Sequence, residues 1–203
     1  MAPQELEKIV VELHDRQQIS DCLARYSRGV DRLDRELLLS VYHPDAVDDH
    51  GVFCGTAEAF ADYVIAMHRA LHLSHQHSLF NHTCELAGDT AHVETYYMFV
   101  CINRTGPATS MSGGRYVDRM EKRQGEWKIA HRLCVRDWAA LEERPDPADL
   151  SSFTALRASL SPGMKAFMNA GAAARRDRDD PSYLRPLPFD AERIAQWKSL
   201  QQP

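Results

Sequence analysis

The chain has no CxxC pair and no other recognisable cysteine pattern. Cys22, Cys54, Cys84, Cys101 and Cys134 are odd in number and far apart. That excludes a thiolate metal knot and argues against a disulfide framework, so they read as reduced, mostly buried small hydrophobes. Positive charge is not in excess either. At a formal net charge of −5 the protein has no general attraction for nucleic acid or an anionic membrane. Long apolar runs are missing, and residues 1–11 alternate acidic and apolar side chains with no basic flank. Neither a signal peptide nor a membrane anchor is expected, and the expected location is the cytoplasm. A glycine-rich phosphate loop and βαβ alternation are also absent, which removes a dinucleotide fold. No cofactor is expected.

At 203 residues and 44% hydrophobic, the chain can bury the core of one domain and carry an extension. Helical periodicity runs from about Glu5 to Val41, with Asp15 as a start signal for the main helix, Gly29 as a weak point and His43-Pro44-Asp45 as the break. An extended segment covers Ala46 to His50, and a second helix covers Thr56 to His72 with Phe60, Tyr63, Val64 and Met67 on its inner face. From Ser74 the period changes to two. Strands are predicted at residues 75–86, 90–102, 111–124 and 126–138, with tight turns at Ala87-Gly88-Asp89 and Arg123-Gln124-Gly125-Glu126. Helices followed by a meander give an α+β fold with the helices on one face of a strongly curved antiparallel sheet. The domain is expected over residues 1–142. Residues 143–203 form a C-terminal extension with a helical stretch near 149–159 and a short helix capped by Asp190. Phe153, Leu156, Phe167, Tyr183, Phe189 and Trp197 carry too much apolar surface for a free linker, so the extension is expected to dock on the domain or on a neighbouring subunit.

Asp31 is the most informative residue. Ile19, Leu23, Tyr26, Val30 and Leu33 recur at helical spacing, and Asp31 lies on the margin of that stripe rather than opposite it. Its ionised form is costly to desolvate alone, and four of the ten histidines lie between His68 and His77. His68 and His72 at i, i+4, with His75 beyond, invite a metal reading. HxxxH lacks the glutamate of HExxH and no third ligand is evident, so no metal is expected.

Three blocks, RYSRGVDRLDRELLLSVYHPDAVDDHG (25–51), HQHSLFNHTCELAGDTAHVETY (75–96) and GGRYVDRMEKRQGEWKIAHR (113–132), resemble the SnoaL-like branch of the nuclear transport factor 2-like superfamily. The resemblance covers roughly residues 10–140. It implies a cone-shaped α+β barrel with a deep pocket between helices and sheet. Within that superfamily, Val30 to His50 resembles the scytalone dehydratases without a gap. That likeness implies Asp31 as a pocket aspartate and His77 as its histidine partner, with His50 where those enzymes present a tyrosine. Val30 replaces a pocket tyrosine, Tyr116 replaces an asparagine, and Arg132 stands at an apolar wall position. Phe53, Tyr97 and Cys134 join Val30 and Tyr116 as candidate substrate-binding residues.

The pair makes physical sense by itself. An aspartate accepting from one imidazole nitrogen fixes the tautomer and leaves the other nitrogen as a base. His50 or Tyr26 is the candidate acid for a departing hydroxyl. Arg132 either stabilises an anion in the pocket or pairs with Asp118 or Asp137 on neighbouring strands. The reading is a cofactor-independent lyase that eliminates water or formaldehyde from a hydrophobic aromatic or polycyclic alcohol. An isomerase using the same base and a non-catalytic small-molecule binding module remain open. A homodimer or homotrimer is expected, because a sheet this long presents an outer face the helices do not cover.

Overall fold

The computed structural model describes residues 2–143, 155, 158–170, 175–180, 183–184 and 190–200. Residues 1–143 and 144–203 form two compact units. In the first, helix α1 spans Pro3–Asp31. It begins at Pro3, whose fixed φ suits a first helical position, and not at Asp15. Asp15 is buried in mid-helix, where it accepts from Lys122 Nζ at 2.8 Å. Residues 3–14 are exposed, and the inner stripe starts at Ile19 and runs through Cys22, Leu23, Tyr26 and Val30.

The expected continuous helix to Val41 is interrupted. Leu33 takes a left-handed φ of 53°, and the carboxylate of Asp34 accepts from Leu37 N at 3.1 Å to cap a separate helix, α2, at Arg35–Leu39. α2 folds back on α1 at Gly29. A Cβ there would lie 2.8 Å from Leu38 N and 2.9 Å from its Cα, so Gly29 is the condition for this contact rather than a weak point. Gly29→Ala is expected to lower the unfolding free energy by about 1–3 kcal/mol, the usual cost of overpacking. Urea denaturation checks it, and an unchanged midpoint would show that α2 yields freely.

Strand β1 spans Tyr42–Asp49 and β2 Cys54–Thr56; α3 follows at Ala57–Leu71, capped by Thr56 Oγ1 accepting from Ala59 N at 3.3 Å. His43-Pro44-Asp45 therefore lies inside a strand. Pro44 has no N–H for a ladder, and the β1 register shifts between Tyr42 and Val47. Strands β3 (His72–Ala87), β4 (Thr90–Asn103), β5 (Thr109–Arg123) and β6 (Glu126–Glu142) form an antiparallel meander. The sheet order is β2-β1-β6-β5-β4-β3. One pairing departs from the expected antiparallel sheet: β1 runs parallel to β6, because the chain crosses from one edge to the other through α3 before the meander returns. The sheet is curved and open, with β2 and β3 at its edges. Phe60 and Val64 of α3 join the α1 stripe over Val93, Tyr116, Met120, Trp127 and Ile129 of the sheet in one core.

In the second unit, Ser161 caps α4 (Pro162–Asn169) and Asp190 accepts from Arg193 N at 2.8 Å at the start of α5 (Ala191–Leu200). The Phe167 and Trp197 rings meet at 5.5 Å, and the Arg193 guanidinium lies 4.0 Å over Phe167. Neither helix buries a residue. Phe153, Leu156 and Phe189, and most of the stretch 149–159, lie outside the described residues. Among the described residues no helix is long and apolar enough to cross a membrane.

Candidate active site

The last turns of α1 bring Tyr26, Val30 and Asp31 to the sheet, the end of β1 brings Asp48 and His50, and β3 brings His77 from the opposite edge. A pocket of about 540 Å³ lies among them. Tyr26, Val30, His50, His77, Tyr97, Tyr116 and Cys134 line it, together with Phe60, Tyr63, Val64, Met67 and His68 of α3, Phe99 of β4, Ser112 of β5 and Arg136 of β6.

Asp31 sits behind His77. Its Oδ1 accepts from His77 Nδ1 at 2.7 Å, and the backbone N–H of His77 donates to Oδ2 at 2.9 Å and to Oδ1 at 3.2 Å. A carboxylate in the last turn of a helix faces the negative end of the helix dipole, and these donations from β3 offset that. With Nδ1 donating, the neutral ring carries its lone pair on Nε2.

His50 has a carboxylate of its own. Its Nδ1 donates to Asp48 Oδ1, while Asp48 Oδ2 accepts from the Tyr42 hydroxyl at 2.5 Å. The Nε2 of His50 is 3.2 Å from the Tyr26 hydroxyl, and its ring stacks on Phe60 at 4.4 Å. Burial, the largest influence on His50, disfavours the charged ring, but the hydrogen bonds to Asp48 and Cys134 and the charges of both outweigh it and raise the pKa from 6.5 to about 9. Burial also pushes the Tyr26, Tyr42 and Tyr116 hydroxyls well above their ordinary range, so all three are neutral phenols that can donate. Asp48 is the site residue that the sequence reading missed. Its signal was present in Asp48-x-His50, because residues two apart on an extended segment share a face.

Arg132 is placed differently from the role of a pocket cation. It is fully buried, its Nε and Nη2 donating to Asp118 Oδ1 and Oδ2 at 2.7 and 2.6 Å, with the guanidinium 4.0 Å over the Tyr26 ring and 4.2 Å over that of Tyr116. Register explains it, since Asp118 and Arg132 are directly opposed on β5 and β6. Both are fully buried, whereas Asp137 accepts from Arg115 among exposed side chains. Arg132 therefore stands behind the two tyrosines and stiffens them without lining the pocket. Phe53 also lies off the wall. It is half-buried against Phe60 and Tyr63, at 5.6 and 5.2 Å between ring centroids.

Three histidines whose spacing in sequence gave only a partial metal pattern converge in space. His68, His72 and His75 are buried, and each presents a ring nitrogen within 4.8 Å of the others.

N-terminal helices packed on a curved and open six-stranded sheet, with a pocket between them, make the architecture of a nuclear transport factor 2-like domain. The SnoaL-like domain profile matches residues 11–133, and the chain belongs to this family. Among solved structures, it is similar to the hexachlorocyclohexane dehydrochlorinase LinA-type3 from Novosphingobium barchaimii LL02, with 19% identity, TM-score 0.60, and 66% of this chain and 97% of that chain covered. It is also similar to the LinA Type2 dehydrochlorinase, with 18% identity, TM-score 0.60, and 67% and 96% covered. Kfla4162 from Kribbella flavida is a third, with 14% identity, TM-score 0.58, and 70% and 99% covered. At these identities the likeness is one of fold. Comparison with curated proteins finds no match.

Proposed function

We propose that this protein is a lyase that eliminates water or formaldehyde from a hydrophobic aromatic alcohol, with His77 as base and His50 as acid. The observation that carries this reading is that two Asp–His pairs, supplied by separate elements, present both imidazoles to one pocket. Asp31 holds His77 as an acceptor at Nε2, while Asp48 holds His50 charged up to a pKa of about 9. Elimination needs both at once. An isomerase using the same base has no leaving group to protonate.

In a dehydration, Nε2 of His77 takes the proton from the carbon beside the carbinol carbon. The carbon–carbon double bond forms, and the hydroxyl departs as water with the proton of His50. In the fragmentation, His77 takes the proton of a primary alcohol, the adjacent carbon–carbon bond breaks, and formaldehyde leaves. The alkene forms as a benzylic hydroxyl departs, again protonated by His50. The Tyr26 hydroxyl beside His50 Nε2 is placed to relay that proton. Phe60, Tyr63, Met67, Tyr97 and Phe99 supply flat apolar walls, which suits an aromatic or polycyclic substrate. The LinA neighbours are dehydrochlorinases, enzymes of elimination, in keeping with this chemistry. Exposed Leu73, Phe80, Tyr96 and Leu133 on the strands support assembly as a homodimer or homotrimer.

Incubation with a panel of aromatic and polycyclic alcohols, read by mass, tests the reading. The expected product has lost water or formaldehyde. A product of unchanged mass would make the protein an isomerase, and ligands recovered unchanged across the panel would make it a binding module.

A further inference from the structure

We propose that His68, His72 and His75 form a binding site for a single divalent cation of the zinc class, tying the end of α3 to the start of β3. The three residues come from a short span that turns from helix into strand. His68 lies in the last turn of α3, His72 is the first residue of β3, and His75 follows three residues on. All three are nine-tenths or more buried, at 4, 8 and 5% exposure, where a positive charge on an imidazole is costly without a compensating group. Yet three ring nitrogens face one another within 4.8 Å.

The contacts lie within a small side-chain movement of metal ligation, since nitrogens bound to one zinc ion at about 2.0–2.1 Å stand no more than about 4.2 Å apart. Nδ1 of His68 and Nδ1 of His72 are 2.9 Å apart. Two N–H groups cannot face each other at that distance, so at least one nitrogen presents a lone pair, and a cation accepts a lone pair from both. Nε2 of His75 donates to the Val30 carbonyl at 3.1 Å, and Asp31 Oδ1 lies 3.7 Å from the same nitrogen. A backbone carbonyl and a carboxylate behind a histidine are the outer partners that fix the tautomer of a ligating imidazole and increase its basicity. The Phe99 ring covers the cluster, at 5.4 Å from His68, 5.7 Å from His72 and 6.0 Å from His75. A donor set made only of imidazoles suits zinc or its neighbours, and not calcium or magnesium, which require oxygen.

The consequence is positional. The ion locks the α3–β3 corner, its last ligand His75 standing two residues before His77 and beside the Asp31 carboxylate that His77 also contacts, so metal binding holds that strand against the end of α1. The inference is independent of the lyase reading, and its test does not use turnover.

Full-length protein without a histidine tag, stripped with a chelator, is dialysed against Zn²⁺ or Co²⁺ and passed through a desalting column. One ion per chain is expected to remain, with visible d–d absorption for Co²⁺. Tm is expected to rise by roughly 5–10 °C with free Zn²⁺ at a hundredfold excess over Kd. His72→Asn should lose the retained ion and the Tm response, whereas His92→Asn, an exposed histidine on β4, should keep both. Wild-type protein that retains no ion and shows no Tm shift overturns the proposal, whether or not His72→Asn folds. So does a folded His72→Asn that retains the ion, or a His92→Asn that loses it.

Discussion

Asp31→Asn and His77→Ala are each expected to reduce turnover by about 10²–10⁴-fold, the range for loss of a positioned general base. The geometry gives a reason specific to each. Without the imidazole there is no acceptor for the substrate proton. With asparagine at 31, one oxygen remains to accept from the His77 backbone N–H, but the amide N–H₂ is a donor where the carboxylate was an acceptor for Nδ1. That favours the opposite tautomer and turns Nε2 from an acceptor into a donor. The double variant should be little worse than the poorer single one, because residues acting as one unit are not additive. Both proteins should fold. Removing a largely buried charge that faces the negative end of α1 can even raise stability. Steady-state rates, with circular dichroism to confirm folding, check this. Near-wild-type turnover in either folded variant removes the general-base mechanism and leaves the pocket as a binding site.

How much of this was legible in the sequence depends on how local each cause is. The meander was, because alternation and turn residues are local signals. Gly88 and the Gln124-Gly125 pair do take positive φ at the hairpin tips. The α1–α2 break was not, because it turns on Leu33 at a left-handed φ, a conformation that leucine does not advertise. The parallel β1–β6 pairing joins residues more than eighty apart, and no local pattern specifies it. The same division runs through the site. Asp31 stood out as a carboxylate at the margin of an apolar stripe and found its partner through a family resemblance. Arg132 was left between two aspartates, and only strand register and burial separate Asp118 from Asp137. Asp48 sat two residues from His50 with the right spacing, but its neighbour Asp49 masked the alternation. The histidine cluster needed the helix-to-strand turn at His72, since helical spacing alone pairs His68 with His72 and leaves His75 unplaced.

Asp48→Asn is expected to move the alkaline limb of the pH–rate profile. In the wild type His50 is an acid only while protonated, so turnover should fall as pH rises through about 9, close to tenfold per unit where chemistry limits the rate. Burial is the largest influence on this ring and works against its charge. Once the Asp48 carboxylate is replaced by an amide, only Cys134 remains to oppose burial, and the pKa falls toward the ordinary 6.5. The limb should then shift down by roughly two units, and turnover at pH 8 should fall by about tenfold or more. Stability should change with the same sign. A histidine whose folded pKa lies above its unfolded value stabilises the fold fully below the unfolded pKa of 6.5 and loses that contribution as pH rises through about 9. The shift corresponds to at most about 3 kcal/mol. Wild-type protein should therefore be less stable to urea at pH 9.5 than at pH 6, and Asp48→Asn should flatten that dependence by lowering the pH 6 value. The Tyr42 hydroxyl, which donates to Asp48 Oδ2, still finds an acceptor in the asparagine oxygen, so the fold around β1 should persist. An alkaline limb that stays in place in folded Asp48→Asn would show that His50 is not the acid, and the proton would then have to come from the Tyr26 hydroxyl without it.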